Sequence, residues 1–310
     1  MKNMKYKSVL VTGGAGFLGH HLLFDLLNKG FAVRCLDLVK PSWITSDIEF
    51  IEGDFTSSQI LAPAIKDIDV IIHLASTTLP ETSNDDPQFD AISNLAGTIG
   101  LLDLAVKHRV KKIIFISSGG TVYGNPSVFP TPESHPVNPL CSYGIIKLAT
   151  EKYLRMYSAL YGLKSCSLRL SNLYGEYQRV DTNQGAVAVF CHKALQRKPI
   201  DIWGDGTVVR DFLYVKDSLE AITKAMLSDC SGTEINIGYG QSASLNQVIA
   251  CIESLLGRKV ACRYFPERPF DIHKVCLDIS KAKQKLDWDP STSLQDGIRL
   301  MIDWIKTGKK

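Results

Sequence analysis

The chain has 310 residues, 45% hydrophobic and 22% charged, and its 35 basic against 32 acidic side chains leave a formal charge of +3. That balance argues against nucleic acid as the main partner, and the length suits one large domain or two intimately joined ones. Eight cysteines fall without CxxC spacing, so they read as small buried hydrophobes of a reduced compartment rather than a disulfide frame or zinc site. The N-terminus enters a strand without a signal-peptide pattern, and no apolar run reads as a membrane span, so a soluble cytoplasmic protein with no membrane partner is expected.

In chain order, SVLVTG (8–13) predicts a first strand, followed by a helix over 17–29. Between them Gly13, Gly16 and Gly19 stand in GxxGxxG spacing, which lets the backbone turn tightly and approach a pyrophosphate at the helix start. No GK[ST] follows, which excludes a nucleotide-hydrolysing phosphate loop. His20 and His21 point to different helix faces, and no metal is expected. AVRCLD (32–37) ends in Asp37, where a carboxylate accepts from both ribose hydroxyls and repels a 2′-phosphate, so the cofactor reads as NAD rather than NADP. Further strands are expected at 48–54, 69–75, 111–118 and 165–171, with helices at 57–66, 88–108 and 142–161. Near-continuous apolar strands separated by helices mean a parallel sheet covered on both faces.

CSYGIIKLATEKYL places Tyr143 and Lys147 four apart near the start of a helix, on one face. A free tyrosine titrates near pH 10 and is a poor base at neutral pH, but a neighbouring ammonium favours the phenolate. Behind a dinucleotide-binding half, this pair reads as a general base, Tyr143, and its cationic support, Lys147. After Asn172 the elements shorten and Gly and Pro increase, as in WGDGTVVRD (203–211) and ERPFD (267–271). The expected class is α/β: a Rossmann-type doubly wound parallel sheet with a smaller, interleaved C-terminal lobe. Residues 1–172 would form the NAD-binding domain, rejoined by about 211–240, with 173–210 and 241–310 forming the substrate-binding lobe. Arg210 and Arg268 suit a diphosphate, because guanidinium forks match phosphate oxygens.

Together, TGGAGFLG (12–19), Asp37, GDF (53–55), HLAS (73–76), Asn94 with GT (97–98), SSGGTVYG (117–124), YGIIK (143–147), LRLSNLYG (168–175), VVRDFLYVKD (208–217) and RPFD (268–271) resemble the extended short-chain dehydrogenase/reductase superfamily. Within it the chain is most like the nucleotide-sugar epimerases and dehydratases, over nearly its whole length. The resemblance implies that Gly13, Gly16, Phe17, Leu18, Gly19, Asp37, Asp54, Phe55, Leu74, Ala75, Ser76, Asn94, Tyr143 and Lys147 surround NAD. Asn172, Arg210 and Arg268 would hold the diphosphate of a nucleotide-sugar. Val275, seven after the RPFD arginine, would line the sugar pocket, its small side chain leaving room for an acetamido group. Phe270 departs from the family's usual glycine. A homodimer through helices 88–108 and 142–161 is also implied, with Leu101, Leu102, Leu104 and Leu148 serving the contact or facing the core.

The implied reaction is a redox-neutral 4-epimerisation of a UDP-hexose, UDP-GlcNAc/UDP-GalNAc or UDP-Glc/UDP-Gal, through a 4-keto sugar. Dehydration is disfavoured because the family's Asp–Glu pair is replaced by Gly120 and Thr121. A UDP-glucuronate decarboxylase, a 4-keto-sugar reductase and a silent NAD-binding regulator remain as alternatives. The family's catalytic serine or threonine falls at Gly119, so that hydroxyl is missing. In an extended strand Ser117, Gly119 and Thr121 share one side, which makes Thr121 the candidate catalytic hydroxyl. The space at Gly119 would then admit a water or the substrate's own hydroxyl.

Overall fold

The computed structural model describes residues 5–180, 185–267 and 272–308. The first half alternates strand and helix: β1 (Ser8–Thr12), α1 (Phe17–Asn28), β2 (Ala32–Asp37), β3 (Ile48–Glu52), α2 (Ser58–Ile65), β4 (Val70–His73), α3 (Pro87–Asp90), a π-helical turn (Ala91–Ala96), α4 (Gly97–Lys107), β5 (Lys112–Ser118), α5 (Ser142–Tyr161) and β6 (Lys164–Leu170). The second half is built from β7 (Asn172–Tyr174), α6 (Ala186–Leu195), β8 (Ile200–Trp203), β9 (Val209–Arg210), β10 (Phe212–Tyr214), α7 (Val215–Leu227), β11 (Thr233–Ile237), β12 (Ala243–Ser244), α8 (Leu245–Leu256), β13 (Cys262–Phe265), α9 (Ser280–Leu286) and α10 (Leu294–Lys306).

Seven strands form one sheet in the order β11-β6-β5-β4-β1-β2-β3, and every pairing in it is parallel. The winding reverses between β1 and β4, and in such sheets the crevice beyond the carboxyl ends at that reversal is where ligands bind. Register aligns those ends: Thr12 pairs with His73, His73 with Phe115, and Asp37 with Glu52. Apolar strands bury on both faces as a parallel sheet requires, one against α1, α7 and α9, the other against α2, α4 and α5. A third cluster, including Val187, Phe190, Ile202, Phe212, Val248, Ile298 and Met301, is the core beneath α6, α8 and α10. Each such side chain contributes about 1.5–3 kcal/mol when fully buried.

Two departures from the sequence reading concern α3 to α4. The run Pro87–Lys107 is long and apolar enough by composition to cross a membrane, contrary to expectation. Leu101, Leu102 and Ala105 on it are fully buried against the sheet, so part of its apolar composition serves the core, while Phe89 and Ile92 are exposed. Its widened π-helical turn holds Asn94, and nothing in the local sequence signals it.

Candidate active site

The glycine turn is held by contacts that exclude side chains. Gly13 has φ +73°, and a Cβ there would lie 2.6 Å from the Ala75 backbone, so the turn presses directly on the end of β4. A Cβ on Gly19 would meet the Gly14 carbonyl at 2.4 Å, which seats α1 against the loop. Gly16 caps α1 in extended conformation without any side-chain cap, which leaves the first N–H groups of the helix without a side-chain acceptor. Asp37 ends β2 across from this turn, its Oδ2 accepting from the Ala15 N–H (2.8 Å) and its Oδ1 from that of Leu38 (2.7 Å). Asp54 accepts from the Thr56 N–H (2.8 Å), and Phe55 is buried beside it. A tight glycine turn, an open helix start and a carboxylate at the second strand's end together fit a dinucleotide.

Beyond the turn, one cavity is lined by His73, Ala75, Ser76, Asp90, Asn94, Thr98, Phe115, Tyr143, Ile146, Lys147 and Thr150. It therefore brings together five residues singled out in the sequence, Ala75, Ser76, Asn94, Tyr143 and Lys147. Leu74 packs with the sheet core beside it. Lys147 is buried, donates to the Ile116 carbonyl (2.9 Å), and holds its ammonium 5.3 Å from the centre of the Tyr143 ring. Burial lowers Lys147 to about 8 despite the opposing charges of Asp90 and Glu151. Burial, with Cys141 and Asp90 nearby, pushes the Tyr143 phenol above its ordinary value. Desolvation thus acts against both charged forms of the pair.

The surroundings fix both residues. Cys141 gives α5 no side-chain cap; instead Asn84 accepts from the Ser142 N–H (2.9 Å) and Ser83 from the Tyr143 N–H (3.0 Å). Thr98 donates to the Asn94 carbonyl (2.5 Å), so it accepts from His73 Nε2 (3.0 Å), while Nδ1 accepts from Thr12 (2.6 Å). That makes His73 a neutral imidazole of one tautomer, in keeping with burial and Lys147 lowering it to about 3. His73, Asp90 and Thr98 are polar lining residues that pattern reading gave no role; His73 and Thr98 stand within the HLAS and GT motifs, whereas nothing in the sequence around Asp90 marked it.

The SSGGTVYG stretch differs from its extended reading. β5 ends at Ser118, and Gly119 to Tyr123 form a turn in which Ser118 O accepts from the Thr121 and Val122 N–H groups (3.4 and 3.2 Å). Strand alternation therefore does not govern Thr121. Its Oγ1 is buried with no hydrogen-bond partner, and Thr121 packs where Gly144, next to Tyr143, leaves room: a Cβ on Gly144 would lie 3.2 Å from the Thr121 Cβ. The space at Gly119 admits neither water nor substrate. A Cβ there would lie 2.5 Å from Leu277 Cδ1 and 3.1 Å from the Arg169 carbonyl, so Leu277 fills it.

Behind this turn lies a buried polar network. Arg169 grips Glu151 with two bonds (2.9 and 2.6 Å) and donates to the Tyr123 hydroxyl (2.9 Å), which donates to Asn236 (2.7 Å). Ser117 donates to Glu151 (2.6 Å). Tyr123 and Ser117 thus serve this network.

Of the residues assigned to substrate, Asn172 starts β7 and is exposed, its Oδ1 3.9 Å from a Cβ built on Gly120. Arg210 sits on β9, paired with β12, rather than in a turn, and its Nη1 donates to the carbonyls of Val209 (3.0 Å) and Ile272 (2.5 Å). Arg268 and Phe270 lie outside the described residues. Val275 is buried in a small cluster with Val122, Tyr123 and Leu277, so its side chain is a packing element of the turn rather than an exposed wall. His21 Nε2 contacts the Glu176 carbonyl (2.8 Å), and His20 stacks on Tyr177.

Comparison with known proteins agrees with this geometry. Residues 9–238 match the NAD dependent epimerase/dehydratase family. The chain is 35% identical to a putative UDP-glucose 4-epimerase of Methanocaldococcus jannaschii, over 97% of this chain and 99% of that one. It is 33% identical to a dTDP-4-dehydro-6-deoxyglucose reductase of Escherichia coli, over 96% and 97%. Its fold is similar to the crystal structure of UDP-glucose 4-epimerase with UDP-glucose from Thermotoga maritima, with TM-score 0.94, 35% identity, and 97% and 99% covered. The chain is thus an enzyme that uses NAD, and it belongs to the NAD dependent epimerase/dehydratase family.

Proposed function

We propose that the protein is a UDP-hexose 4-epimerase. The observation that carries this is the cavity at the sheet's carboxyl edge where Tyr143 and Lys147 stand one helical turn apart beside Ala75, Ser76 and Asn94. NAD, when bound, supplies hydride exchange with the sugar C4. Tyr143 takes the proton of the 4-hydroxyl as that carbon is oxidised and returns it when the 4-keto sugar is reduced on its opposite face. Lys147 supplies the positive charge that favours the phenolate and binds the nicotinamide ribose. The glycine turn, Phe17 and Leu18 receive the pyrophosphate, Asp37 the adenosine ribose, and Asp54, Phe55 and Leu74 line the cofactor's path. Asn172, Arg210 and Arg268 hold the diphosphate. Thr121, buried against Gly144, offers its unpaired hydroxyl to the same proton transfer.

In this reading residues 1–172, rejoined by about 211–240, bind NAD, and 173–210 with 241–310 bind the substrate. Val275 shapes the sugar pocket from behind, through Val122 and Tyr123, and its modest size leaves N-acetylated hexoses among the substrates. A second copy covers the outer faces of the segment from α3 to α4 and of α5, where Phe89 and Ile92 before α4, and Ile145, Met156 and Leu160 on α5, are 41–64% exposed, while Leu101 and Leu102 serve the core. The relative that reduces a 4-keto sugar makes reduction the second reading. Supplying UDP-glucose, UDP-N-acetylglucosamine and UDP-glucuronate separately to the NAD-loaded protein tests both. We expect 4-epimers of the first or second without net consumption of reduced cofactor. No conversion of any of the three, or turnover only with a 4-keto sugar and added NADH, overturns the reading.

A further inference from the structure

Asp90 is a fully buried carboxylate in the cavity that holds Tyr143 and Lys147, and none of the roles above uses it. Its Oδ1 accepts from the Thr78 hydroxyl (2.7 Å) and the Asn94 amide (2.7 Å), and its Oδ2 from the Ser142 hydroxyl (2.6 Å). All three donors are neutral. Burying a carboxylate is expensive unless a positive group repays it, so the position calls for an electrostatic explanation.

The groups facing Lys147 supply one. On β4, His73 is held neutral by burial and by Lys147 itself. On α5, Glu151 faces Lys147, but the Arg169 fork from β6 already neutralises it. Tyr143 and Cys141 at the start of α5 are uncharged when protonated. From α3, Asp90 remains as the negative charge that no cation pairs among the described residues, beside the N-terminus of α5, whose helix dipole also favours an anion. Through Ser142 it grips the residue before Tyr143, and through Asn94 the π-helical turn. Asn94 in turn accepts from the Thr77 N–H (2.9 Å), which extends the grip to the loop that caps α5.

We propose that Asp90 is a positioning residue of the acid–base pair: it supplies the fixed negative charge that keeps Lys147 an ammonium in a buried site, and it clamps the turn of α5 that carries Tyr143. This rests on the reading of Tyr143 and Lys147 as that pair, so the primary test needs no turnover. Asp90→Asn is nearly isosteric and can keep every contact, with Oδ1 accepting from Thr78 and Asn94 and its amide donating to the Ser142 hydroxyl; it removes only the charge. The Lys147 signal would be followed through a pH titration by NMR of the ε-13C-lysine protein without substrate, assigned with Lys147→Arg. In Asp90→Asn we expect Lys147 to lose its proton at least about one pH unit lower than in the wild type, with melting temperature little changed. The pH of maximal turnover should move to the acid side, because the ammonium persists only at lower pH, and kcat at pH 8 should fall about tenfold or more with KM within about threefold. An unchanged Lys147 titration overturns the proposal, whatever the activity. A shifted titration with an unchanged pH profile of kcat would retain the charge effect but defeat its link to the acid–base pair. Asp90→Ala, which loses both charge and clamp, should show the same titration shift and a larger loss of kcat; equal kcat in the two variants would remove the clamp from the account.

Discussion

The two flanks of Tyr143 are built on different terms. On the cofactor side, the glycine turn, the carboxylate that ends β2 and the Tyr143/Lys147 spacing within α5 are devices whose geometry follows from short stretches of sequence. On the side formed by the Gly119–Tyr123 turn, each feature depends on a distant segment: Leu277 fills the place of a side chain at Gly119, Val275 packs beneath Val122 and Tyr123, and Arg169 and Asn236 hold the Tyr123 hydroxyl. A sequence motif is informative about the first kind of construction. It is nearly silent about the second, because the missing atom and what replaces it are far apart in the chain.

The largest expected effect comes from the cofactor side. Tyr143→Phe removes the proton acceptor while keeping the ring that faces Lys147, and turnover should fall about 10²–10⁴-fold with NAD still bound. Retained turnover would detach the chemistry from this helix. Next is the network behind the turn. Glu151→Gln leaves Arg169 charged in a site where it is only 3% exposed, and breaking such a pair typically costs about 3–5 kcal/mol. Denaturant unfolding would reveal that loss, and a cost under about 1 kcal/mol would mean the pair does not hold β6 and α5 together.

Restoring a side chain at Gly119 sharpens the comparison further. Gly119→Ser drives Cβ into Leu277 Cδ1 and toward the Arg169 carbonyl, and overpacking of this kind costs about 1–3 kcal/mol. Combined with Leu277→Ala, the serine should cost less than it does alone, since the two changes occupy one volume. Strict additivity would show that Leu277 is not what closes the site. The smallest effect is at Thr121. Its hydroxyl is buried without a partner, so Thr121→Val should leave stability equal or raise it by up to about 1 kcal/mol. If that hydroxyl joins in proton transfer, turnover should nonetheless fall about tenfold. Unchanged turnover would make Thr121 a packing residue.

Much of the fold was legible before the structure. The strands of the sheet fall within one or two residues of their apolar runs, and β11 returns to the sheet beside β6. The glycine turn and the Tyr143/Lys147 pair could be read because their spacing is the geometry. Asp90 could not, since a carboxylate in PQFD reads as the exposed start of a helix; only the π-helical turn and α5 together enclose it. The cap on α5 was hidden for the same reason, its acceptors being Ser83 and Asn84 from another loop. The end of β5 at Ser118 was legible, but the turn that follows was missed, because two glycines in succession permit either an extended strand or a turn, and the Leu277 contact accompanies the turn.

The central claim is that hydride leaves and returns to one sugar carbon while Tyr143 carries the proton. Its most direct test is turnover of UDP-glucose or UDP-N-acetylglucosamine deuterated at C4, in ordinary water, with the product epimer analysed by mass spectrometry and NMR. The account predicts that the product keeps the deuterium at C4 and that Tyr143→Phe produces almost none. Loss of the label to solvent, or an epimer formed with deuterium at any other carbon, would contradict it.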